Sequence, residues 1–239
     1  MSNIDSREPG AQPAEALTAP RQPSPWAKGW AFARLLARVR FVRKLGTLTT
    51  HGYLAQSGWV DSVLRDPITI GAGAPLPWAT FPYIAFIAER LQREWRVFEY
   101  GAGSSTLYYA ARVQEVVAVE HDPAFARALA PHLPRNVTVR LEALHSDAYV
   151  RAIEAAGGEF DVVSVDGRDR VRCAEAALPR LHRAGVVVLD DAERADYAAA
   201  TAALRGAGFR RLDFWGLAPG EVSTKSTAVF YRTENCLGL

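Results

Sequence analysis

The sequence contains little sulfur and no long apolar run. Its two cysteines, Cys173 and Cys236, are too few for a disulfide framework and lack the spacing of metal ligands. No apolar stretch approaches the ~20 residues that a membrane span needs. Residues 1–25 lack the apolar core of a signal peptide. These absences predict a protein of the reducing cytoplasm without a transmembrane segment.

A large net charge is also absent, but the charges are unevenly distributed. The net charge is +2; residues 1–60 contain eight Lys or Arg against three acids, and the remainder contains 20 basic and 23 acidic side chains. An enzyme that acts on nucleic acid usually carries its basic surplus on the catalytic body. The slightly acidic body therefore favours a small-molecule or glycan acceptor and predicts no nucleic-acid partner.

The N-terminal third has the pattern of an extension. Residues 1–25 are rich in Pro, Ala, Gln and Ser and predict a disordered tail. Residues 26–45 repeat apolar side chains at three- and four-residue steps, with Arg and Lys elsewhere, which predicts a basic amphipathic helix. Residues 51–65 predict a second short helix, and two prolines stiffen the loop 71–78. Residues 26–80 are thus expected to pack on the main domain or cover its site as a lid; alternatively, residues 26–65 contact a membrane surface or a partner.

Helical and strand-like segments alternate from Phe81 to the C-terminus. A helical pattern over 81–95 is followed by short β-rich runs separated by helices, which is typical of a parallel sheet covered on both faces. The predicted strands are 96–100, 116–120, 137–141, 160–165, 185–189, 209–215 and 225–231. The predicted helices between them are 104–112, 122–132, 147–156, 170–182 and 192–206. Because only a loop joins the last two strands, the expected fold is α/β: a doubly wound, mostly parallel seven-stranded sheet with a C-terminal antiparallel pair.

The stretch VFEYGAGSST at residues 97–106 indicates where a ligand binds. Gly101 and Gly103 follow the first predicted strand directly, and ligands of such sheets bind beyond the carboxyl ends of the strands. Thr106 replaces the third glycine of the dinucleotide fingerprint, and Glu99 would repel a pyrophosphate but suit an ammonium group. Glu120 ends the second predicted strand, where it can accept hydrogen bonds from two ribose hydroxyls. A ribose, an amino-acid head group and no diphosphate describe S-adenosylmethionine.

Residues 81–239 resemble the class I S-adenosylmethionine-dependent methyltransferases, a Rossmann-like family. The resemblance is carried by EYGAGSST, VVAVEHD, HSDAY, DVVSVDG and VVVLDD, in this order and at the family's spacing. It implies that Glu99, Gly101 and Gly103 surround the methionine part, that Glu120 holds the ribose, and that Ser146 and Asp147 lie near the adenine. The remaining residues expected to contact the cofactor are Ser104, Ser105 and His121. The chain also looks like bacterial methyltransferases of unassigned substrate.

The acceptor is predicted to be an oxygen atom. Base- and glutamine-modifying enzymes of this fold carry Asn/Asp-Pro-Pro-Tyr after the fourth strand, where this chain has VDGRDR. Asp166, Asp190 and Asp191 make the chain similar to metal-dependent O-methyltransferases of catechol and caffeoyl type, which implies a Mg²⁺-like ion on these carboxylates. The match departs from that family at Asp169, where the family has Lys, and at Asp191, where it has Asn. Without a metal, Asp166 acts as a general base, with His145 as the second candidate.

Three further residues are candidates for acceptor binding. Arg168 and Arg170 follow the fourth strand and either grip an acidic or sugar substrate or begin a solvated helix. Trp78 can line the acceptor pocket, because Trp faces suit sugar or aromatic rings, or it can pack in the core. Two other readings of the chain remain: a non-catalytic protein that keeps the methyltransferase fold, and a nicotinamide enzyme, which Glu99 and the missing third glycine disfavour.

Overall fold

The computed structural model describes residues 24–64, 70–71, 74–144 and 146–239. The predicted disordered tail, apart from its last two residues, and His145 lie outside these described residues. Of the described residues, 24–46 form one compact unit and those from 47 onward form another. No described helix is long and apolar enough to cross a membrane.

Four helices replace the two that the sequence predicted before residue 66. Helices α1 (Pro25–Leu36) and α2 (Val39–Thr50) stand where one helix was expected, and nothing in the sequence marks the break between them. Helices α3 (Tyr53–Gln56) and α4 (Trp59–Leu64) replace the second predicted helix. Gly58 separates them with a φ of +81°, a left-handed conformation that glycine adopts readily and that ends a helix.

The helix before the main sheet is shorter than predicted. Strands β1 (Ile70–Gly71) and β2 (Ala74–Pro75) pair antiparallel, and helix α5 spans Phe81–Ala88 instead of reaching residue 95. The apolar repeat continues past its end because Leu91 and Trp95 pack on the same hydrophobic cluster as the helix.

The main sheet has the predicted architecture. Its seven strands are β3 (Arg96–Tyr100), β4 (Glu115–Glu120), β5 (Val137–Leu141), β6 (Phe160–Val165), β7 (Leu181–Leu189), β8 (Arg210–Gly216) and β9 (Lys225–Tyr231). The helices between them are α6 (Ser104–Ala110), α7 (Pro123–Leu129), α8 (Asp147–Ala156), α9 (Arg170–Ala177) and α10 (Ala198–Gly206). The strand order is β5-β4-β3-β6-β7-β9-β8. The strands β3 to β7 pair parallel, and β9 pairs antiparallel with both β7 and β8, which confirms the doubly wound sheet with its C-terminal antiparallel pair.

Two predicted helices have different ends in the structure. Helix α9 ends at Ala177 instead of residue 182, and a 3₁₀ turn then leads into β7, because Pro179 has no N–H to continue the helix. Helix α10 begins at Ala198 instead of residue 192. Asp191 has a φ of +52°, so the chain turns sharply before that helix.

The two faces of the sheet bury separate clusters, and this alternation places the site's first carboxylate. Phe98 and Tyr100 of β3 pack in the cluster beneath α8 and α9, whereas Val97 packs in the cluster beneath α5 and α6. Because side chains alternate along a strand, Glu99 points to the same face as Val97. Strand β3 lies between β4 and β6, where the strand order reverses, and a ligand crevice is expected at that point.

Candidate active site

One cavity of about 440 Å³ lies at the carboxyl edge of the sheet. Its lining comes from the segments that follow β3, β4, β6 and β7, together with the start of β9. The lining residues that the sequence predicted are Trp78, Gly101, Gly103, Ser104, Ser105, Glu120, His121, Asp166, Arg168, Arg170, Asp190 and Asp191. We call the walls formed by residues 101–105 and 120–121, together with Glu99 behind them, which does not itself line the cavity, the glycine-loop half. Residues 166–170, 190–194 and Lys225 form the ion-pair half.

Two glycines bring the loops after β3 and β6 together. Gly101 has a φ of +95°, and a Cβ there would lie 3.0 Å from the Cα of Gly167. A Cβ on Gly167 would in turn lie 2.9 Å from the carbonyl carbon of Tyr100. Both positions therefore require glycine for the fold itself, so Gly101 shapes the site whether or not it contacts a ligand.

Gly103 differs from Gly101 in having open space beside it. Its φ of 169° is extended, and a Cβ there would meet Phe125 at 3.9 Å. Its N–H donates to the Thr106 hydroxyl at 2.9 Å, and Ser104 and Ser105 continue the wall of the cavity. Neither backbone conformation nor packing within the protein calls for glycine at this position, which leaves room for a ligand against the backbone.

Glu99 is a buried carboxylate directly behind the glycine loop. Its side chain is 1% exposed, and Oε2 has no hydrogen-bond partner in the part of the chain that the structure describes. Burial raises the pKa of Glu99 to about 7, against the lowering effect of hydrogen bonds from Thr106 and Ser105. An unpaired buried acceptor is costly, so a donor supplied by a ligand would stabilise this oxygen.

Glu120 is fixed by backbone donors alone. Its Oε1 accepts from the N–H groups of His121 and Asp122 at 2.7 and 2.8 Å, and Oε2 accepts from the Ala102 N–H at 3.2 Å. These bonds tie the end of β4 to the glycine loop and orient the carboxylate at the cavity wall. Each carboxylate oxygen accepts more than one hydrogen bond, so capacity remains for hydroxyl donors. The His121 ring lies beside it, with Nδ1 2.9 Å from Oε1.

Ser146 and Asp147 do not line this cavity. The Ser146 hydroxyl donates to the Ala143 carbonyl at 2.7 Å. Asp147 is exposed, pairs with Arg172 at 2.5 Å, and lines a separate surface depression with Arg151 and Arg172. The hydrogen bond and charge of Arg172 lower the pKa of Asp147. Their predicted contact with adenine therefore has no support from the geometry of the described residues.

Three carboxylates meet in the ion-pair half. Asp190 and Asp191 follow β7 and are 3% and 5% exposed, and Asp166 follows the neighbouring strand β6. Burial and the charge of Asp190 raise the pKa of Asp166 well above its ordinary value, although Arg170 opposes the shift. Burial alone would raise the pKa of Asp191, but Lys225, Arg170 and Arg194 lower it.

Lys225 binds both carboxylates that follow β7. Because β9 runs antiparallel to β7, its first residue lies at the carboxyl edge of the parallel strands. The Lys225 ammonium pairs with Asp190 Oδ2 and lies 2.8 Å from Asp191 Oδ1, with only 13% of its side chain exposed. Burial would lower the pKa of Lys225, but the neighbouring carboxylates raise it. The sequence signal that was missed is a single lysine at the start of an apolar strand, KSTAVFY.

Two arginines complete the neutralisation of this half. Arg170 is 8% exposed, pairs with Asp166 at 3.1 Å and Asp191 at 3.3 Å, and donates to the backbone carbonyls of Gly167 and Asp190. Arg194 pairs with Asp191 at 2.8 Å. Arg170, which the sequence assigned to the acceptor, is thus committed to holding the loops after β6 and β7 together.

This arrangement does not fit the metal ion implied by the resemblance to catechol-type enzymes. Among the described residues, no group of three or more His, Cys, Asp or Glu side chains is arranged to hold a metal ion. Lys225 lies between Asp190 and Asp191, and a divalent cation on these carboxylates would have to displace it against charge repulsion. Cationic side chains therefore pair with the carboxylates that the resemblance assigned to the ion.

Arg168 and Trp78 remain as exposed parts of the lining. Arg168 is exposed and makes no ion pair with any other described residue, in contrast to Arg170. Trp78 is 40% exposed, and its carbonyl accepts from Lys225 at 3.3 Å. The lining residues that sequence reasoning did not name are Ala102, Phe125, Gly167, Arg194, Glu221 and Lys225.

Comparisons with known proteins agree with this geometry. Residues 98–192 match a family model described as Methyltransferase domain. The solved structure of precorrin-6y C5,15-methyltransferase from Geobacter metallireducens aligns with a TM-score of 0.51 and 18% identity, over 64% of this chain and 88% of that one. The Methanococcus jannaschii fibrillarin pre-rRNA processing protein aligns with a TM-score of 0.50 and 17% identity, over 64% and 74%.

A third solved structure is an O-methyltransferase, TomG from Streptomyces achromogenes. It aligns with a TM-score of 0.49 and 18% identity, over 62% of this chain and 77% of that one, which is too distant to bear on the acceptor. No curated protein matches the sequence.

The family match covers the part of the chain that holds most of the cavity lining. The matched segment contains the glycine loop, Glu120, Asp166, Asp190 and Asp191. Residues 98–192 thus match a methyltransferase domain, in agreement with the resemblance found in the sequence. At these identities the solved structures establish the fold, and the roles of the individual site residues stay predictions.

Proposed function

We propose that the protein is an S-adenosylmethionine-dependent methyltransferase that methylates a hydroxyl of a small molecule or sugar. One observation carries the proposal: a single cavity brings the glycine loop, Glu120 and Asp166 together at the switch point of the sheet. The family match over residues 98–192 supports the transferase class. The choice of an oxygen acceptor rests on the residues after β6 and on Asp166.

The glycine-loop half fits the cofactor. The free oxygen of Glu99 suits the ammonium of the methionine part, Gly103 leaves space against the backbone, and Glu120 suits the ribose hydroxyls. When bound, S-adenosylmethionine supplies an electrophilic methyl group. These residues hold and orient it, and positioning supplies much of the acceleration of such a displacement.

Asp166 is the proposed general base. It takes up the proton that the acceptor hydroxyl releases as its oxygen gains the methyl group, and S-adenosylhomocysteine is the second product. Burial and Asp190 raise its pKa, so its carboxylate is a stronger base than an ordinary aspartate. Arg170 holds it at 3.1 Å and stabilises the charged form. The second candidate, His145, lies outside the described residues and stays a prediction.

The acceptor is proposed to bind between Trp78 and Arg168. Trp78 offers an exposed ring for stacking, and Arg168 offers an exposed guanidinium at the same cavity. The region predicted as a lid contributes through α4: Trp59 Nε1 donates to the Glu221 carbonyl at 2.6 Å, and Ser62 Oγ accepts from the Gly220 N–H at 2.8 Å. Covering the cavity in this way would exclude water from the reacting oxygen.

Calorimetry and turnover test the proposal separately. We expect S-adenosylmethionine and S-adenosylhomocysteine to bind the purified protein, and NADH not to bind. A panel of phenols, catechols and sugars is then screened by release of S-adenosylhomocysteine. Asp166→Asn should lower turnover by about 10²-fold or more while cofactor affinity changes less than about threefold, because the residue acts on the acceptor.

Asp169→Asn is the matched control. Asp169 lies three residues from Asp166, has a φ of +50° that Asn also tolerates, and pairs with Arg172 outside the cavity. This variant should keep both cofactor affinity and turnover. Binding of NADH without either adenosyl ligand would overturn the methyltransferase assignment. Methylation of amines but not hydroxyls in the same screen would overturn only the oxygen acceptor.

A further inference from the structure

Helices α1 and α2 expose large apolar side chains that the methyltransferase domain does not explain. Trp26 and Trp30 are 84% and 73% exposed, Val39 is 80% exposed, and α2 has no buried residue. The other exposed apolar residues of these helices are Phe32, Leu35, Leu36, Phe41, Val42, Leu45 and Leu48. So many large exposed apolar side chains on two successive helices indicate an interaction surface.

Helix α2 has an apolar side, with basic residues at its border and opposite it. At roughly 100° per residue, Phe41, Leu45 and Leu48 fall on one side of α2. Arg43 falls on the opposite side, Arg40 lies about 100° from Phe41, and Lys44 lies at the border of the apolar side, about 60° from Phe41. An amphipathic helix of this composition buries its apolar side in a second, apolar phase and keeps its basic side near a polar one.

The positive charge of residues 24–50 indicates that the apolar phase must carry negative charge at its surface. Residues 24–50 contain six Lys or Arg side chains, and no Asp or Glu occurs between Glu15 and Asp61. A second copy of the chain would bring two strongly basic segments together, which like-charge repulsion disfavours. An anionic lipid surface supplies both negative charge and apolar depth, and Trp side chains are suited to the boundary between headgroups and acyl chains.

We propose that α1 and α2 bind the surface of an anionic membrane, with Trp26, Trp30, Phe41 and Leu45 in the headgroup–acyl boundary. The basic side chains of the two helices lie at the phosphate level. This binding is peripheral and does not depend on the proposed methyltransferase activity.

Flotation of the full-length protein with vesicles tests the proposal. Vesicles of phosphatidylcholine are compared with vesicles that also contain phosphatidylglycerol. We expect binding to the anionic vesicles alone. Binding should weaken by at least about tenfold when NaCl is raised from about 0.1 M to about 1 M, because the screening length falls from about 10 Å to about 3 Å.

Two variants and one control separate the contributions. The charge reversal Arg40→Glu/Arg43→Glu/Lys44→Glu should reduce vesicle affinity about a hundredfold or more, since each basic residue near an anionic surface contributes substantially. Phe41→Asp/Leu45→Asp should reduce binding at both salt concentrations. Arg93→Glu/Arg135→Glu/Arg205→Glu makes the same change in net charge at exposed positions of the second unit and should bind as the wild type does.

Each other outcome overturns the proposal. No binding to anionic vesicles does so directly, and equal, salt-insensitive binding to neutral vesicles shows that charge plays no part. If the control loses binding as fully as the α2 charge reversal, the effect belongs to overall charge. If sedimentation shows self-association that Phe41→Asp/Leu45→Asp abolishes while vesicles are ignored, the face is an interface between copies. Circular dichroism and melting temperature establish that each variant is folded.

Discussion

The two halves of the cavity hold their carboxylates in opposite ways. In the glycine-loop half, Glu99 and Glu120 receive hydrogen bonds from hydroxyls and backbone N–H groups, and no Lys or Arg pairs with either among the described residues. In the ion-pair half, Lys225, Arg170 and Arg194 neutralise Asp166, Asp190 and Asp191. The first half therefore keeps negative charge available for a cationic, hydroxyl-rich ligand, and the second is electrostatically closed.

This difference would let one edge of the sheet hold both partners of the proposed reaction. A carboxylate held only by dipoles is preorganised without being neutralised, so its charge acts on the ligand. A carboxylate paired with a buried cation contributes rigidity instead, and removing either partner leaves an uncompensated buried charge. Of the three acids in the second half, Asp166 has the most exposed side chain, which suits the one group proposed to exchange a proton.

The largest effect is expected from Lys225→Ala. Removing the ammonium leaves two buried carboxylates short of their shared partner, so the free energy of unfolding at neutral pH should fall by about 3 kcal/mol or more. Urea unfolding measures this. The matched control is Arg183→Ala, which breaks an ion pair with Glu234 whose two side chains are both more than 70% exposed. That control should cost less than about 1 kcal/mol, because water screens exposed pairs.

The same variant also tests whether Lys225 keeps a metal ion from binding to Asp190 and Asp191. If Lys225 stands where an ion would bind, Mn²⁺ should raise the melting temperature of Lys225→Ala and leave that of the wild type unchanged. A wild type stabilised by Mn²⁺ as strongly as the variant would show that the carboxylates are not closed by Lys225.

The next effect concerns the charge of Glu99 and its dependence on pH. Burial raises the pKa of this group from 4.5 to about 7, so the ligand-free wild type loses stability as pH rises between these values. Glu99→Gln cannot titrate, so relative to the wild type it should gain up to about 3 kcal/mol between acidic pH and pH 8. Unfolding measured at several pH values checks this.

Cofactor binding should show the opposite trend at the same residue. The wild type should bind S-adenosylmethionine more tightly as pH rises through about 7, because the carboxylate that meets the ammonium forms there. Glu99→Gln should bind weakly and with no pH step in this range. An equally steep pH dependence in both proteins would show that another group controls binding.

Variants of Gly103 and Gly101 distinguish a loss of space for the ligand from a loss of fold stability. Gly103→Leu should lower affinity for S-adenosylmethionine about a hundredfold, equivalent to about 2.7 kcal/mol, because its side chain fills open space in the cavity. Its melting temperature should stay close to that of the wild type. Gly101→Ala should instead lose about 1–3 kcal/mol of stability, since it strains a backbone with a φ of +95° and crowds Gly167. Calorimetry and urea unfolding of both variants decide the matter.

The sequence predicted the glycine-loop half better than the ion-pair half. The glycine loop, Glu99 and Glu120 lie within short segments at the ends of adjacent strands, so local pattern and strand order suffice to bring them together. Asp166, Asp190 and Asp191 were found by the same rule. Lys225 was not, because its place at this edge follows from the antiparallel direction of β9 and the register of Leu189 with Ala228. Because the sequence analysis did not place Lys225 at this edge, the three aspartates alone suggested a metal site.

Errors in the helices have a similar origin. Leu91 and Trp95 extended the apolar period of α5, yet they pack on its cluster from a turn, so periodicity overestimated the helix. The placement of Asp147 depends on a partner in the same way. The resemblance assigned Asp147 to the adenine, but Arg172 and Arg151 surround it in the separate depression. Sequence spacing predicts at which end of a strand a residue lies. It does not predict the ion-pair partner, which decides where the side chain points.

The smallest effect is expected where the region predicted as a lid meets the ion-pair half. Trp59 Nε1 donates to the carbonyl of Glu221, which lines the cavity next to Lys225, while the ring packs against the hydrophobic cluster beneath α5. Trp59→Phe keeps most of the packing and removes one hydrogen bond, so the unfolding free energy should fall by about 1 kcal/mol. Because the change touches only the cover of the acceptor side, cofactor affinity should stay within about twofold. Amide exchange should rise in residues 217–222 and remain unchanged in the glycine loop. If amide exchange changes equally in residues 217–222 and in the glycine loop, the lid is not confined to the ion-pair half. If cofactor affinity falls while exchange in residues 217–222 is unchanged, Trp59 acts on the glycine-loop half instead.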